Sequence, residues 1–507
     1  MKAEKREAFA PRTFLAAVIA LAAAAGCVNV GPDYSEPDLG DRASYALPDA
    51  GFPTTNRTDI GEWKSSEGAD DVRALVTTND IANWWCRFDD VALTNLVAGA
   101  VDGNLSFRMA QKRLDQSRWA LLGVLAAFLP KSDFSASGTM THSERYTSSQ
   151  YSSWLATGSK RNYGDLFRAG FDMTWEIDIF GGNRRATEAA WAESQAAEWS
   201  LADAWVSLTA EVGRQYIELR TTQQRIAVAR TNLVLQTETY DILKSRFDSG
   251  IGDELAVNQS KYLVDQTLAT IPPLLAQEEK LLNALAVLAG DIPGARHEEL
   301  RECPDRDWLL EPSKVAEVPL DMLRARPDVR AAERRLAAQT ARVGVAKALW
   351  YPKLYINGTL GIESVKVHKF LGKGDFYGAI GPSVSWPIFR GGSLYANEKV
   401  EESKMDEAFL AYESAIQEAY REVRDAYAAY TQEYHRYQAL QGAVKAAQDA
   451  VTIANDLYKN GLRDFTAVID AQRSLLALEE ALVISRGQIT IDLIALFKSL
   501  GGGFPGI

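Results

Sequence analysis

Two ladders of apolar residues in this chain repeat one another at a fixed distance of 211 positions, and that duplication restricts the possible folds more than any other feature. The first ladder, Trp205, Val212, Leu219, Ile226, Leu233, Tyr240 and Phe247, advances in sevens. So does the second, Phe409, Ile416, Val423, Tyr430, Tyr437, Val444, Val451 and Tyr458. The offset that carries Phe247 to Tyr458 also carries Gly250 to Gly461, Asp253 to Asp464, Ala256 to Ala467 and Val257 to Val468. Further on, Val257, Val264 and Ile271 answer Val468, Leu475 and Leu482. A sustained seven-residue apolar period means helices supercoiled against neighbours, so each half reads as a helical hairpin. A continuous helix from Gly181 to Phe247 is about 100 Å long, because each residue rises about 1.5 Å. That is a rod, not a globular core. Pro272-Pro273 is expected to break or kink the first return helix.

Between the helices each half holds two segments with the period of a strand. Phe134, Ala136, Gly138 and Met140 alternate with Asp133, Ser135, Ser137, Thr139 and Thr141. Phe167, Ala169, Phe171, Met173, Trp175, Ile177 and Ile179 alternate with Arg168, Gly170, Asp172, Thr174, Glu176 and Asp178. In the second half Leu354, Ile356, Gly358, Leu360 and Ile362 oppose Tyr355, Asn357, Thr359 and Glu363, and Val384, Trp386 and Ile388 oppose Ser383 and Ser385. Strands are expected near 131–141, 167–179, 353–363 and 376–388, paired through polar loops from His142 to Leu166 and from Ser364 to Asp375. One-faced strands of this length suit a membrane barrel with lipid outside and water inside, although a soluble sandwich alternates in the same way. Four strands are too few to close a barrel, since the smallest have about eight. Open edges are not tolerated in lipid, so copies of the chain are expected to combine.

The first residues carry Lys2, Lys5, Arg6 and Arg12, then an apolar run from Phe14 to Ala25, then Gly26-Cys27, which reads as an export signal. Cys27 after small residues resembles the bacterial lipobox, with Ala24 where Leu is usual. Its thiol is then expected to carry diacylglycerol, and the freed amine palmitate. Val28 rather than Asp follows, a pattern compatible with sorting to the outer membrane. After the signal no run of about 18 uninterrupted apolar residues occurs, so membrane crossing falls to the strands. Cys86 and Cys303 remain in a disulfide-permissive setting, free or paired. A net charge of -12 without a basic cluster argues against a nucleic-acid partner.

At the next level the residues match a family. Cys27-Val28-Asn29-Val30-Gly31-Pro32-Asp33-Tyr34 followed by Pro37 resembles the mature N-terminus of NodT-type outer-membrane factors, the lipoprotein branch of the TolC-like efflux proteins of RND-type systems. Trp175-Glu176-Ile177-Asp178-Ile179-Phe180-Gly181-Gly182 and Pro387-Ile388-Phe389-Arg390-Gly391-Gly392 resemble its two strand-to-helix junctions. Arg326-Pro327-Asp328-Val329-Arg330-Ala331-Ala332-Glu333, with Val343-Gly344-Val345-Ala346 and Tyr351-Pro352-Lys353, is the most specific match. The resemblance implies a mixed architecture: a homotrimer sharing one membrane β-barrel, four strands per protomer, continued by a long α-helical barrel across the periplasm. It implies an exit duct for drugs and small toxic compounds, opened at its periplasmic tip by an adaptor and an inner-membrane RND-type pump. In the second tip, Gly461 to Gln472 is similar to the family's gate segment, where Asp470 would point into the lumen and form a negative ring in the trimer. Ala467 stands where some relatives carry a second gate carboxylate. Arg463 and Asp253 are candidate partners in ties between helices that hold the tip shut. At the junctions, Gly181, Gly182, Gly391 and Gly392 are expected because a chain turning from strand to helix at a crowded wall needs residues without a Cβ.

The expected organisation is a signal peptide over 1–26, a lipidated segment wrapping the periplasmic body over 27–88, a first repeat over 89–290, a linker over 291–320, a second repeat over 321–500 and a tail over 501–507. An enzyme finds no support: the His at 142, 297, 368 and 435 have no ligand spacing, and no phosphate-binding Gly loop follows a strand. No cofactor is expected beyond the lipid on Cys27. Two rivals share the main features: a TolC-type duct for type I protein secretion, and a periplasmic coiled-coil structural lipoprotein, which leaves the one-faced strands unexplained.

Overall fold

A computed structural model describes residues 29–37, 83–143, 162–303, 308–309, 323–365, 370, 375–460 and 462–502. Cys27 and Gly461 lie outside the described residues, as do half of the linker and most of the tail. The elements, in chain order, are α1 (Val91–Gly103), α2 (Leu105–Leu125), β1 (Lys131–Ser143), β2 (Asn162–Ile177), α3 (Gly182–Asp248) and α4 (Glu254–Leu288). There follow the single turn α5 (His297–Leu300), α6 (Pro327–Ala348), β3 (Lys353–Ser364), β4 (Asp375–Ser385), α7 (Ser393–Lys459) and α8 (Phe465–Ser499). Helices α3 and α7 both have 67 residues and α4 and α8 both have 35. Every end of one pair maps onto the other at the 211-residue offset: Gly182 to Ser393, Asp248 to Lys459, Glu254 to Phe465 and Leu288 to Ser499.

The chain divides into two compact units. The first holds the N-terminal residues to Glu36, Gln116–Gln195 and Arg334–Leu410; the second holds Pro37–Asp115, Ala196–Glu333 and Ala411–Ile507. In the second unit the heptad residues Val212, Leu219, Ile226, Ile416, Val423, Tyr430 and Val444 are buried, as the period requires. A single 3-10 turn, Trp84–Phe88, buries three aromatic rings there, and Trp84 stacks on Phe497 at 6.1 Å. Both turns at the helix tips end with the same bond, from Ile251 N–H to Arg246 O and from Leu462 N–H to Leu457 O, closing the last turn in a Schellman arrangement.

The first unit holds a four-stranded antiparallel sheet in the order β1-β2-β3-β4. Its register keeps the sequence alternation intact: Phe134 pairs with Phe171 and Phe171 with Leu360, while Trp175 pairs with Ile356 and Ile356 with Pro382. One face is therefore apolar across all strands, with Phe134, Met140, Phe171, Phe376, Ile380 and Val384 exposed on it.

Three details depart from the sequence reading. Strand β2 starts at Asn162, inside the expected loop, because its ladder with β1 runs on to Ser143. Pairing is a property of the backbone and does not stop where apolar side chains do. Strands β2 and β4 stop at Ile177 and Ser385 rather than at 179 and 388, since the Ile179 and Ile388 N–H groups turn back to Ile177 O and Trp386 O, and Pro387 has no N–H to give. Finally, α4 runs unbroken through Pro272 and Pro273. The two carbonyls that lose their partners, on Leu268 and Ala269, belong to exposed residues and can bond water, while Ile271 and Leu274 stay packed.

Candidate functional site

The polar face of the sheet carries its own cross-strand ties. Ser135 Oγ donates to Asp172 at 2.7 Å, Arg168 Nε to Glu363 at 3.0 Å and Asn357 Nδ2 to Ser383 Oγ at 2.7 Å. Charges satisfied by one another on one face, opposite a mainly apolar face, are what a wall between water and lipid needs. Both outer edges, on β1 and β4, have no partner strand among the described residues. Aromatic residues collect where the strands end: Trp175 donates to Phe128 O, Trp386 to Trp350 O and Trp350 to Glu398, while Phe180 stacks on Tyr351 at 4.8 Å. Rings with one polar handle favour the boundary of a bilayer.

The first junction between strand and helix is built by Asp178 and Gly181. Asp178 Oδ2 accepts the Arg184 N–H at 2.9 Å, satisfying an orphan donor of the first turn of α3. Gly181 has φ +79°, and a Cβ on it would lie 2.6 Å from Asn29 Oδ1. The left-handed conformation requires glycine here, and a Cβ would also displace the Asn29 side chain. Its counterpart at the 211-residue offset, Gly392, has φ +83° with open space around it, and Gly391 has φ +56°, also in the open. In the second junction conformation alone requires the glycines, not a crowded wall. At Gly182 a Cβ would make an ordinary 3.4 Å contact with Ala348, so that glycine is not demanded sterically.

The N-terminal motif docks in the same unit on Arg185, a residue the sequence reading did not single out. Arg185 is 2% exposed and donates to Val30 O at 3.2 Å, Gly31 O at 3.3 Å, Asp33 Oδ1 at 2.6 Å and Glu188 Oε2 at 2.8 Å. Gly31 and Gly344 meet back to back, since a Cβ on Gly31 would lie 2.5 Å from Gly344 Cα, and a Cβ on Gly344 would lie 2.9 Å from Arg185 Cγ. Residues 29–34 and 343–346 of the matched segments are thus two sides of one contact. The only sequence signal for Arg185 was its place after the junction glycines.

The matched Arg326 is explained in the second unit. It is almost wholly buried and donates to Ser499 O at 2.7 Å, to Asp328 at 2.8 Å and to Glu422 at 2.7 Å, binding the start of α6 to α7 and the end of α8. Asp203 shares this cluster: burial first, then the Asp328 carboxylate, raise its pKa above the ordinary value. Nearby, Asp90 caps α1 by accepting from Ala92 and Leu93, and also accepts from Tyr216 Oη at 2.7 Å and Trp308 Nε1 at 2.9 Å. Burial opposes its charge, yet those four donors outweigh it and hold its pKa below the ordinary value.

At the tips, Leu243, Ala256, Leu263, Ala454, Phe465, Val468 and Ile469 form a buried cluster. Asp470 lies next to it on α8, exposed, with Ser474 Oγ donating to its backbone carbonyl. Arg463 is exposed just before α8. Asp253 is the N-cap of α4, its carboxylate accepting the Leu255 N–H at 3.0 Å. Its counterpart Asp464 caps α8 without a side-chain bond. The structure thus keeps Asp253 on its own helix, and among the described residues no bond joins it to Arg463. Cys86 and Cys303 are exposed and are not joined in a disulfide. Among the described residues no group of three or more His, Cys, Asp or Glu could hold a metal ion, and no helix is long and apolar enough to cross a membrane.

A one-faced sheet joined to paired helices of this length defines an outer-membrane channel of the TolC-like fold. The chain belongs to the outer membrane efflux protein family, whose model matches residues 96–291 and 318–502. This is a family of non-enzymatic transport channels of the outer membrane. Nodulation protein T of Rhizobium leguminosarum bv. trifolii is 30% identical over 484 residues, covering 94% of this chain and 95% of that one. The toluene efflux pump outer membrane protein TtgF of Pseudomonas putida is 28% identical over 491 residues, 96% of this chain and 97% of its own. Among solved structures, the outer-membrane channel OprN superposes with a TM-score of 0.78 at 31% identity, covering 94% of this chain and 99% of that one.

Proposed function

We propose that three copies of this chain close one twelve-stranded barrel in the outer membrane and form the exit duct of a tripartite efflux pump. The observation that carries this reading is the sheet: four strands with one apolar face and two open edges. An unpaired edge in hydrocarbon leaves backbone groups without partners, and pairing β4 of one copy with β1 of the next removes every edge. The helices continue the barrel into the periplasm as a wall about 100 Å long, at ~1.5 Å per residue. Drugs and other small toxic compounds pass passively from the periplasm to the outside. A periplasmic adaptor and an inner-membrane RND-type pump open the tip around Asp470, with Arg463 and Asp253 in the ties that hold it shut. Cys27 carries the diacylglycerol and palmitate that anchor the mature chain in the periplasmic leaflet. Efflux rather than type I protein secretion is favoured by the relatives' names, toluene efflux among them.

The mass of the membrane-extracted particle tests this. A detergent-dependent species of three chains is expected. A single chain that stays in solution without detergent once its N-terminal lipid is removed would instead be a periplasmic spacer.

A further inference from the structure

One rung of the polar face is unlike its neighbours. Ser135, Gly170, Gly361 and Tyr377 stand side by side on the four strands. The β2 and β3 backbones approach so closely there that neither glycine has room for a side chain. A Cβ on Gly170 would lie 2.6 Å from Leu360 O and 2.9 Å from Gly361 Cα, and one on Gly361 would lie 2.5 Å from Ala169 O. The Tyr377 side chain fills the space they leave. A Cβ on Gly361 would lie 3.0 Å from its Cε1 and one on Gly170 3.1 Å from its hydroxyl, so the ring reaches from β4 over β3 to β2. A ring that spans two strand widths lies along the wall instead of standing out from it. Arg168, tied to Glu363, sits over the ring with its guanidinium 5.9 Å from the centroid.

We propose that Gly170 and Gly361 set the bore of the outer section of the duct by giving Tyr377 a place to lie flat. This rests on the barrel reading, in which the polar face lines the lumen and is repeated in each copy. A side chain at either glycine has to shift the facing backbone and also takes the space of the ring, which then stands upright, and three upright rings at one level form a constriction. The size limit for solutes leaving the barrel is then a property of two glycines and a tyrosine, independent of the periplasmic tip.

The test reads the bore from outside. In a full-length chain with Cys86 and Cys303 replaced by serine, Thr359→Cys places a thiol on the same face, two residues further from the β3–β4 connection. Membrane-impermeant maleimides of increasing size are added to intact cells. In the parent, small and large reagents label. Gly361→Ala lowers labelling by the large reagents about tenfold, a rate change equal to a small added barrier, and leaves the small ones unchanged. Adding Tyr377→Ala to Gly361→Ala restores them. Tyr377→Ala alone leaves the size limit where it was, because a flat ring does not obstruct. Unchanged labelling in an assembled Gly361→Ala, or a much wider limit in Tyr377→Ala alone, overturns the proposal. If Thr359→Cys fails to react with even the smallest reagent, the polar face does not line a water-filled bore and the duct reading itself falls.

Discussion

Tyr262 and Arg473 occupy the same position in the two halves of the chain, 211 residues apart, and they touch: Arg473 Nη2 donates to Tyr262 Oη at 3.4 Å, its guanidinium 5.8 Å from the ring centroid. The two return helices therefore meet here with duplicated positions facing each other. A wall made from matching halves presents a similar edge to every neighbour, which is what a closed ring of identical copies requires.

Loss of Arg185 will release the N-terminal segment. Arg185→Ala leaves the Val30 and Gly31 carbonyls without their donor beside an arginine-shaped void, at a cost of about 2–3 kcal/mol. Asp33→Asn will cost ~0–1 kcal/mol, since that carboxylate is 88% exposed. Protease cleavage around residues 29–37, measured against denaturant, separates the two; equal sensitivity would show that the carbonyl contacts contribute nothing.

The junction glycines will differ in their tolerance of alanine. Gly392→Ala suffers only the left-handed conformation, about 1–2 kcal/mol. Gly181→Ala suffers that and the overlap with Asn29, so its thermal midpoint falls further. Gly182→Ala is expected to be nearly silent. A reversal of this order in thermal melts of the detergent-solubilised protein would contradict the geometry.

Asp253 serves as a cap and is proposed as a tie, and serine separates the two. Asp253→Ala removes the cap, weakening the start of α4 by about 1 kcal/mol and speeding hydrogen exchange at Leu255, and Asp253→Ser restores it. Asp464→Ala will show the smaller effect, having no side-chain cap bond to lose. Channel opening in Asp253→Ser, with exchange unchanged, reports the tie.

Asp203 makes the second unit less stable as pH rises. Its folded pKa is raised, so the folded state holds a proton that the unfolded state has already released. The cost is absent below the unfolded value, grows as pH rises towards the folded value and is complete above it. Asp203→Asn will therefore raise stability at neutral pH and lose that advantage in acid. Denaturant midpoints of both proteins across that range check the sign.

Much of this was legible in the sequence because periods survive folding. The sevens from Trp205 to Phe247 and the alternation from Phe167 to Ile177 describe faces, and faces are what these elements bury or expose. Gly250 and Gly290 mark helix ends because a left-handed residue there leaves a local trace. Arg185 and Asp90 were not legible: their partners lie 152 and 126 residues away, and no period connects them. Nor could the paired glycines show which of them lacks room for a Cβ, since that depends on where Asn29 and Ala348 come to rest.

Single-channel conductance of the detergent-purified protein in planar bilayers tests the central claim most directly, comparing the parent with Asp470→Asn while trivalent cations are added from the periplasmic side. The expected result is a small, cation-selective current blocked by the trivalent ion, with the block weakened in Asp470→Asn by loss of the negative ring. Verified trimers whose current is anion-selective, or blocked equally with and without the Asp470 carboxylate, would contradict a duct gated at that ring.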